Sequence, residues 1–281
     1  MNSLSISRRG FLTGAVAAAA LRTGSASAAP DKSGSEDVKL GVASYSVRNF
    51  PRAEAIRMIQ DLETPYVNIK EFHLPYKSTP AELAAGRKEF EDAGLKIVGG
   101  GTISLRKDDD DDIRYYFEYA KACGMPLMVV APTQQTMPRV EKFVKEYDIK
   151  VAIHNHGPED EYFPRPHDAL AVVKDMDPRC GLCIDVGHTA RTGVDVVESI
   201  ALAGDRLLDM HIKDLRDLMA KDSQCIVGQG AMPVADIFRQ LKKMNYQGYV
   251  NIEYEINADD PLPGMEQSLA YMRGVLAGLR G

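Results

Sequence analysis

The chain has 281 residues, of which 44% are hydrophobic, and a formal net charge of -6. A single hydrophobic core can be built from a chain of this size, and single α/β barrels commonly reach this length. The acidic balance argues against nucleic acid as a partner, because duplex binding depends on Lys and Arg side chains that neutralise phosphates.

The first residues resemble a twin-arginine signal peptide. Arg8 and Arg9 precede Phe11, a weakly apolar segment covers residues 14–21, and an A-x-A cleavage site covers residues 26–28. The apolar segment is too short to cross a bilayer as a helix. We therefore expect a signal peptide over residues 1–29, a polar linker over 30–37, and an exported or periplasmic mature protein without a stable membrane anchor.

From residue 38 onward, short apolar runs alternate with amphipathic segments. The predicted strands cover residues 38–46, 66–72, 96–99, 126–131, 150–155, 181–185, 207–212 and 249–254. The predicted helices cover residues 53–62, 80–93, 113–123, 140–146, 168–176, 194–202, 234–244 and 264–279. Ser78 or Thr79 is expected to cap the second helix, and Asp168 the fifth.

The predicted strands are continuous apolar runs, which is typical of a parallel sheet covered on both faces. Eight strand–helix units predict one α/β domain over residues 38–281, a single (β/α)8 TIM barrel whose active site lies at the C-terminal ends of the strands. An open doubly wound sheet is the alternative, but no G-x-G-x-x-G motif follows the first strand.

The pair Cys180 and Cys183 has the C-x-x-C spacing of redox and zinc sites. The chain has no second pair of this kind, and Cys183 lies in a predicted buried strand, where cysteine is a common small apolar residue. We interpret both cysteines as structural, with a disulfide as the alternative in an oxidising compartment.

Histidines collect at predicted strand ends. Five lie at or just after such an end, namely His73, His154, His156, His188 and His211, while His167 lies at a helix start. The strand period of two places His154 and His156 on one side, and His211 and Lys213 on one side.

Four strand ends therefore carry candidate metal ligands. The set comprises Asp185, His211, Glu253 and either His154 or His156. Mixed imidazole and carboxylate ligands suit Mn, Co, Zn or Fe, and suit Mg less well. The sequence predicts a divalent metal site at the mouth of the barrel.

Several motifs resemble one family across residues 39–279. They cover residues 70–75, 184–188, 210–214, 227–230 and 248–253. The chain looks like a xylose isomerase-like TIM barrel, a group that includes sugar isomerases and epimerases, inosose dehydratase-like proteins and endonuclease IV. The resemblance implies a metal-dependent enzyme but not one particular substrate.

The resemblance also implies roles for individual residues. Asp185, His211 and Glu253 correspond to metal ligands of the family, and His188 to a substrate contact. The strand-five ligand of the family is commonly a glutamate, whereas His154 stands at that position here. Histidine can bind a metal but cannot act as a second carboxylate base, so the substitution disfavours symmetric epimerisation.

The expected substrate is a small keto-sugar or related polyol. Glu253 is the first candidate for the base that removes an α-proton, and the resulting enediolate would be stabilised by a divalent metal acting as a Lewis acid. Other polar residues are candidates for holding hydroxyls or moving the proton: Lys70, His156, His188 and Lys213.

Two reactions share this intermediate. One is isomerisation or epimerisation, and the other is elimination by a lyase or dehydratase acting on a 3-keto-glycoside or keto-inositol. A non-catalytic sugar-binding barrel is a further alternative. A DNA-repair endonuclease of the same fold is opposed by the acidic charge, and the sequence leaves a homo-oligomer open.

Overall fold

The computed structural model describes residues 38–280. The expected signal peptide over residues 1–29 and the expected linker over residues 30–37 both lie outside the described residues, so these predictions stay predictions. The strands of the barrel are β1 (Lys39–Ala43), β2 (Tyr66–Ile69), β3 (Lys96–Leu105), β4 (Leu127–Pro132), β5 (Lys150–His154), β6 (Cys180–Asp185), β7 (Leu207–Ile212) and β8 (Tyr249–Ile252). Within residues 38–280 these parallel strands close into a barrel in the order β1-β8-β7-β6-β5-β4-β3-β2.

Helices follow the strands, and the predicted (β/α)8 TIM barrel is confirmed. The helices are α1 (Arg52–Asp61), α2 (Pro80–Asp92), α3 (Asp110–Ala122), α4 (Met137–Tyr147), α5 (Pro166–Val173), α6 (Val186–Arg191), α7 (Val196–Ala203), α8 (Val234–Lys243) and α9 (Leu262–Gly278). Among the described residues, none of these helices combines the length and the apolar character that a membrane crossing requires.

Two helix caps were predicted, and they differ in outcome. Thr79 caps α2, because its hydroxyl accepts a hydrogen bond from the backbone N–H of Glu82 while the Glu82 carboxylate accepts one from the Thr79 N–H. The prediction of Asp168 as a cap is wrong. Arg165 occupies the N-cap position of α5 without a side-chain cap hydrogen bond, and Asp168 lies inside the first turn, where its carboxylate accepts from the Arg165 N–H at 3.1 Å.

The ends of some strands also differ from the prediction. β1 stops at Ala43 and continues as a 3-10 turn over Ser44–Val47, whereas β3 runs on to Leu105. The sequence did not predict α6, nor the small antiparallel hairpin that pairs Asp214–Leu215 with Gln224–Cys225. α6 directly follows β6 and the hairpin follows β7, so both elements lie at the mouth of the barrel, where the sequence predicts the metal site.

The strands bury side chains on both faces. Outward residues join the large core under the helices, while Leu127, Val129, Ala152 and Cys183 form a small cluster inside the barrel. This double burial explains why the strands are continuous apolar runs. It also separates the cysteine pair, because residues three apart on a strand point to opposite faces: Cys180 packs in the outer core, both thiols are free, and the disulfide alternative is wrong.

Candidate metal centre at the barrel mouth

Four strand ends bring buried polar side chains to one point. His154 and Asp185 are the last residues of β5 and β6, His211 lies near the end of β7, and Glu253 follows β8 directly. None of the four residues is more than 6% exposed. One ligand atom from each lies within 4.8 Å of those of the other three. Because the C-terminal ends of parallel strands meet at the barrel mouth, the sequence alone predicted this convergence.

The distances show how closely the four groups approach. His154 Nε2 lies 3.0 Å from His211 Nδ1 and 3.9 Å from Asp185 Oδ2. His211 Nδ1 lies 3.4 Å from Glu253 Oε2. Two imidazoles and two carboxylates therefore face a common centre, with the ligand chemistry that mid-row transition metals and zinc accept.

Two ring nitrogens of this cluster, His154 Nδ1 and His211 Nε2, are buried without a hydrogen-bond partner among the described residues. Asp185 Oδ2 accepts no hydrogen bond there either, but it forms an ion pair with Lys213 Nζ at 3.1 Å. Buried polar atoms are nearly always partnered, because leaving one unpartnered costs free energy. The other oxygen of Asp185 is fixed by the His188 N–H at 2.7 Å, so the carboxylate is held in one orientation while Oδ2 faces the cluster. The donor set and its unpartnered atoms fit a bound cation.

Lys213 places a positive charge among these carboxylates. Its Nζ lies 3.1 Å from Asp185 Oδ2 and 2.9 Å from Glu253 Oε2, and it also hydrogen-bonds Glu255. Burial lowers the pKa of Lys213, but the three carboxylates outweigh burial and raise the pKa well above its usual range. The ammonium is therefore charged and compensates part of the negative charge of the site.

Gly187 makes room for the lysine. A Cβ atom at this position would lie 2.8 Å from both Cγ and Cδ of Lys213. The glycine that follows Asp185-Val186 in the sequence is thus explained by close approach of another side chain to the backbone.

The ionisation of the cluster follows from burial and mutual charges. Burial, together with His156 and His211, holds the pKa of His154 well below 6.5, so this imidazole is neutral. Burial also disfavours ionised Glu253, but Lys213 and His211 outweigh burial and hold its pKa well below its usual range. Neutral imidazole and ionised carboxylate are the forms that coordinate a metal.

The structure distinguishes the two strand-five histidines. His154 lies inside the cluster, whereas the His156 side chain is 33% exposed and its Nδ1 lies 3.2 Å from Asp160 Oδ2. The two rings still face the same side, with centroids 4.4 Å apart. His156 therefore lies at the rim, where burial and the neighbouring His188 lower its pKa.

The remaining predicted residues also line the mouth. His188 is half-buried in α6, with its ring centroid 5.7 Å from that of His156. Lys70 follows β2 and is 8% exposed, with Nζ 5.1 Å from the centre of the Tyr45 ring. Both residues are placed to contact a molecule that enters the mouth.

A cavity of about 290 Å³ opens beside the cluster, lined by Gly187, His188, Lys213 and Glu255 among others. A larger cavity of about 770 Å³ lies at the opposite end of the barrel, where the strands begin. We place the candidate site at the smaller cavity, because Lys213, which pairs with Asp185 and Glu253 of the cluster, lines it, and because barrel active sites lie at the C-terminal ends of strands.

Two positioning residues were missed by the sequence analysis. Asn155, 1% exposed, accepts the Asp185 N–H through Oδ1 at 3.1 Å and donates to Thr189 Oγ1 at 3.0 Å. Gln224 in the hairpin donates to the Glu253 carbonyl at 2.8 Å and accepts the Glu255 N–H at 3.0 Å. The position of Asn155 next to His154 was a usable signal, whereas nothing in the long loop marked Gln224.

Asp214 connects two motifs that lie apart in the sequence, the segment 210–214 and the V-G-Q-G segment 227–230. Its carboxylate accepts the backbone N–H groups of Gly228 at 2.9 Å, Gly230 at 3.0 Å and Met232 at 2.9 Å. Gly228 has a φ of 96°, a conformation that favours glycine. Asp214 thus holds the loop that carries the V-G-Q-G motif and has a structural role.

Comparisons with known proteins agree with this architecture. An inosose dehydratase from Mesomycoplasma hyopneumoniae (strain 7448) is 28% identical over 163 residues, which cover 51% of this chain and 53% of that protein. A 3-dehydro-D-guloside 4-epimerase from Escherichia coli (strain K12) is 37% identical over 71 residues, which cover 24% of this chain and 27% of that protein. The chain spans about half the length, or less, of these relatives.

A solved structure of the IOLI protein with a binding zinc atom has a TM-score of 0.71 and 17% identity, covering 85% of this chain and 98% of that one. At this identity the likeness concerns the fold alone. The family described as xylose isomerase-like TIM barrel matches residues 54–275 of this chain. This match covers most of the barrel, and the chain therefore belongs to the xylose isomerase-like TIM barrel family.

Proposed function

We propose that the protein is a divalent-metal-dependent enzyme of the sugar isomerase and epimerase type, acting on a keto-sugar or related polyol through an enediolate. The observation that carries the proposal is the buried cluster of two histidines and two carboxylates at the barrel mouth, in which each histidine keeps one buried ring nitrogen without a hydrogen-bond partner among the described residues. His154, Asp185, His211 and Glu253 would hold the metal. When bound, a divalent ion supplies Lewis-acid stabilisation for the negative charge that develops on the substrate oxygens.

Glu253 is the proposed base. It is ionised and lies at the mouth, so it can accept the proton from the carbon next to the substrate carbonyl. Its direction is fixed from two sides, because Lys213 holds Oε2 and Gln224 holds the backbone carbonyl. Removal of the proton leaves the electron pair in the substrate as the enediolate.

The other polar residues of the mouth would hold the substrate. Lys213 bridges the carboxylates and can donate a hydrogen bond to a substrate oxygen, while Lys70, His156 and His188 are placed to contact hydroxyl groups. Return of the proton at the neighbouring carbon completes an isomerisation, and its return to the other face of the same carbon completes an epimerisation.

A dehydratase or lyase is the second candidate, acting on a keto-inositol or a 3-keto-glycoside. Neutral, buried His154 at the strand-five position supports it, because a histidine there leaves Glu253 without a second carboxylate base on the opposite face of the substrate. The names of the two relatives cover both reactions, a dehydratase and a 4-epimerase. We also propose that the protein is exported, on the basis of the twin-arginine pattern. Sedimentation tests whether it forms a homo-oligomer.

The test is proton exchange in deuterated water with metal-loaded protein and a 3-keto-glycoside or keto-inositol as probe. Deuterium entry without loss of the hydroxyl indicates isomerase or epimerase chemistry, whereas formation of an unsaturated ketone indicates elimination. Glu253→Gln should lower the rate by about 10²- to 10⁴-fold, the usual contribution of a general base.

Glu255→Gln is the matched control, since Glu255 bonds the same lysine but its side chain is 40% exposed. It should retain most of the exchange rate. Tight sugar binding without exchange in the wild-type protein would contradict the proposal and favour a sugar-binding barrel.

A further inference from the structure

Cys183 lies directly beneath the metal ligands inside the barrel. It stands two residues before Asp185 on β6, so both side chains point into the barrel. The strand register pairs Cys183 with His154 of β5 on one side and with Asp209 of β7 on the other. Its side chain is fully buried next to Val129 and Ala152.

The thiol and two of the histidines form a ligand set of their own. His154, Cys183 and His211 each offer one ligand atom, and these atoms all lie within 4.8 Å of one another. The two histidines are at least 98% buried, and each keeps one ring nitrogen without a hydrogen-bond partner among the described residues. A free thiol this close to two such imidazoles is therefore a second arrangement of metal ligands, and one that suits a softer ion.

We propose that His154, Cys183 and His211 form an inner metal position that admits a soft divalent ion such as zinc or cobalt. The inference rests on the proposed metal-dependent function and adds that Cys183 makes the site prefer soft divalent ions. On binding, the sulfur forms a bond to the ion and the thiol proton leaves to solvent. Thiolate ligands favour zinc-like ions, whereas carboxylates suit manganese and magnesium.

The two positions share the histidines, so one ion can use either set. Residues two apart on a strand have Cα atoms about 6.6 Å apart, which makes the thiolate position the deeper one. A hard ion would stay with Asp185 and Glu253, where two negative charges balance it. A soft ion would be drawn toward Cys183, and the protein would hold it more tightly than a manganese ion.

The experiment is a titration of the metal-free full chain with Co²⁺, followed by ultraviolet absorption. The wild-type protein should develop a sulfur-to-cobalt charge-transfer band in the near ultraviolet, and Cys183→Ser should bind Co²⁺ without this band. Cys180→Ser is the matched control, since Cys180 is equally buried on the same strand but faces the outer core, and it should keep the band.

Competition with a chelator gives a second readout. Loss of an outer-sphere partner typically costs about 10- to 100-fold in metal affinity, so loss of a direct thiolate ligand should weaken Zn²⁺ binding by at least about tenfold. The affinity for Mn²⁺ should change much less. Equal losses for Zn²⁺ and Mn²⁺ would overturn the inner position.

If Cys183→Ser does not fold, the sulfur that binds Co²⁺ is identified by testing the other three cysteines instead. The chain has four cysteines, and single serine variants of Cys123, Cys180 and Cys225 should each retain the band. Loss of the band in one of these three would overturn the proposal. Binding of Co²⁺ by the wild type without a band would refute the inner position alone, whereas no binding of Co²⁺, Zn²⁺ or Mn²⁺ would refute the proposed function as well.

Discussion

Replacing Lys213 by methionine tests whether its ammonium and a metal ion compete for the same carboxylates. Methionine keeps the apolar stem that packs over Gly187 and removes only the charge. In the metal-free protein the substitution leaves Asp185 and Glu253 buried without their main cationic partner. Removing one partner of a buried ion pair costs about 3–5 kcal/mol, so the free energy of unfolding should fall by that amount.

A divalent metal should reverse the loss. At a metal concentration of about 100 times Kd, binding adds about 2.7 kcal/mol to the free energy of unfolding. In the variant no lysine has to leave the carboxylates, so metal affinity should be higher than in the wild-type protein. Urea unfolding of chelator-treated protein, with and without added Mn²⁺, Co²⁺ or Zn²⁺, measures both effects.

The control is Lys88→Met, which removes a lysine of an exposed pair with Asp92 and should change the free energy of unfolding by less than about 1 kcal/mol. A metal-free Lys213→Met variant as stable as the control variant would refute the competition between the lysine and a metal ion. Weaker stabilisation of Lys213→Met than of the wild-type protein by the added metal would also refute this competition.

The remaining predictions concern the support of the site, its pH dependence and the stability of the barrel away from it. Asn155→Ala leaves the buried Asp185 N–H without a partner, so unfolding experiments should show a loss of about 1–3 kcal/mol, and calorimetric titration should show weaker metal binding. Burial lowers the pKa of His211, but Glu253 outweighs burial and raises the pKa above 6.5. Coordination requires neutral imidazole, so protons compete with the metal for His211 below this raised pKa. As the pH is lowered, metal affinity should therefore begin to fall at a higher pH than it would with a ligand histidine of ordinary pKa. Protonated His211 stabilises the metal-free fold below pH 6.5, and this contribution should disappear as the pH rises through the raised pKa. Thr79→Ala removes the cap of α2 and should cost about 1 kcal/mol without changing metal affinity, which separates general stability from site effects.

The barrel and the ligand cluster could be predicted because both depend on regular patterns. Continuous apolar strands indicate a parallel sheet, and polar residues such as Asp185 and His211 at strand ends must then meet at one edge. The choice between His154 and His156 could not be made from sequence, because the strand period places both on one side. The structure separates them by burial, which depends on how the loop after β5 turns.

The missed residues act through contacts between distant parts of the chain. Gln224 reaches the backbone of Glu253 only because residues 224–225 pair with residues 214–215 in a hairpin. No local sequence pattern predicted this hairpin. The error at Asp168 has a similar cause, since the sequence fits either a cap or the third position of a capping box. Arg165 takes the capping position because Pro166 begins the helix.

The most direct test of the metal-dependent site is elemental analysis of the purified protein, wild type beside Asp185→Ala and His211→Ala. We predict about one divalent ion per chain in the wild type after loading, and its loss in both variants while circular dichroism shows an intact fold. A wild-type protein that holds no divalent metal after incubation with Mn²⁺, Co²⁺ or Zn²⁺, or variants that hold as much as the wild type, would contradict the site described above.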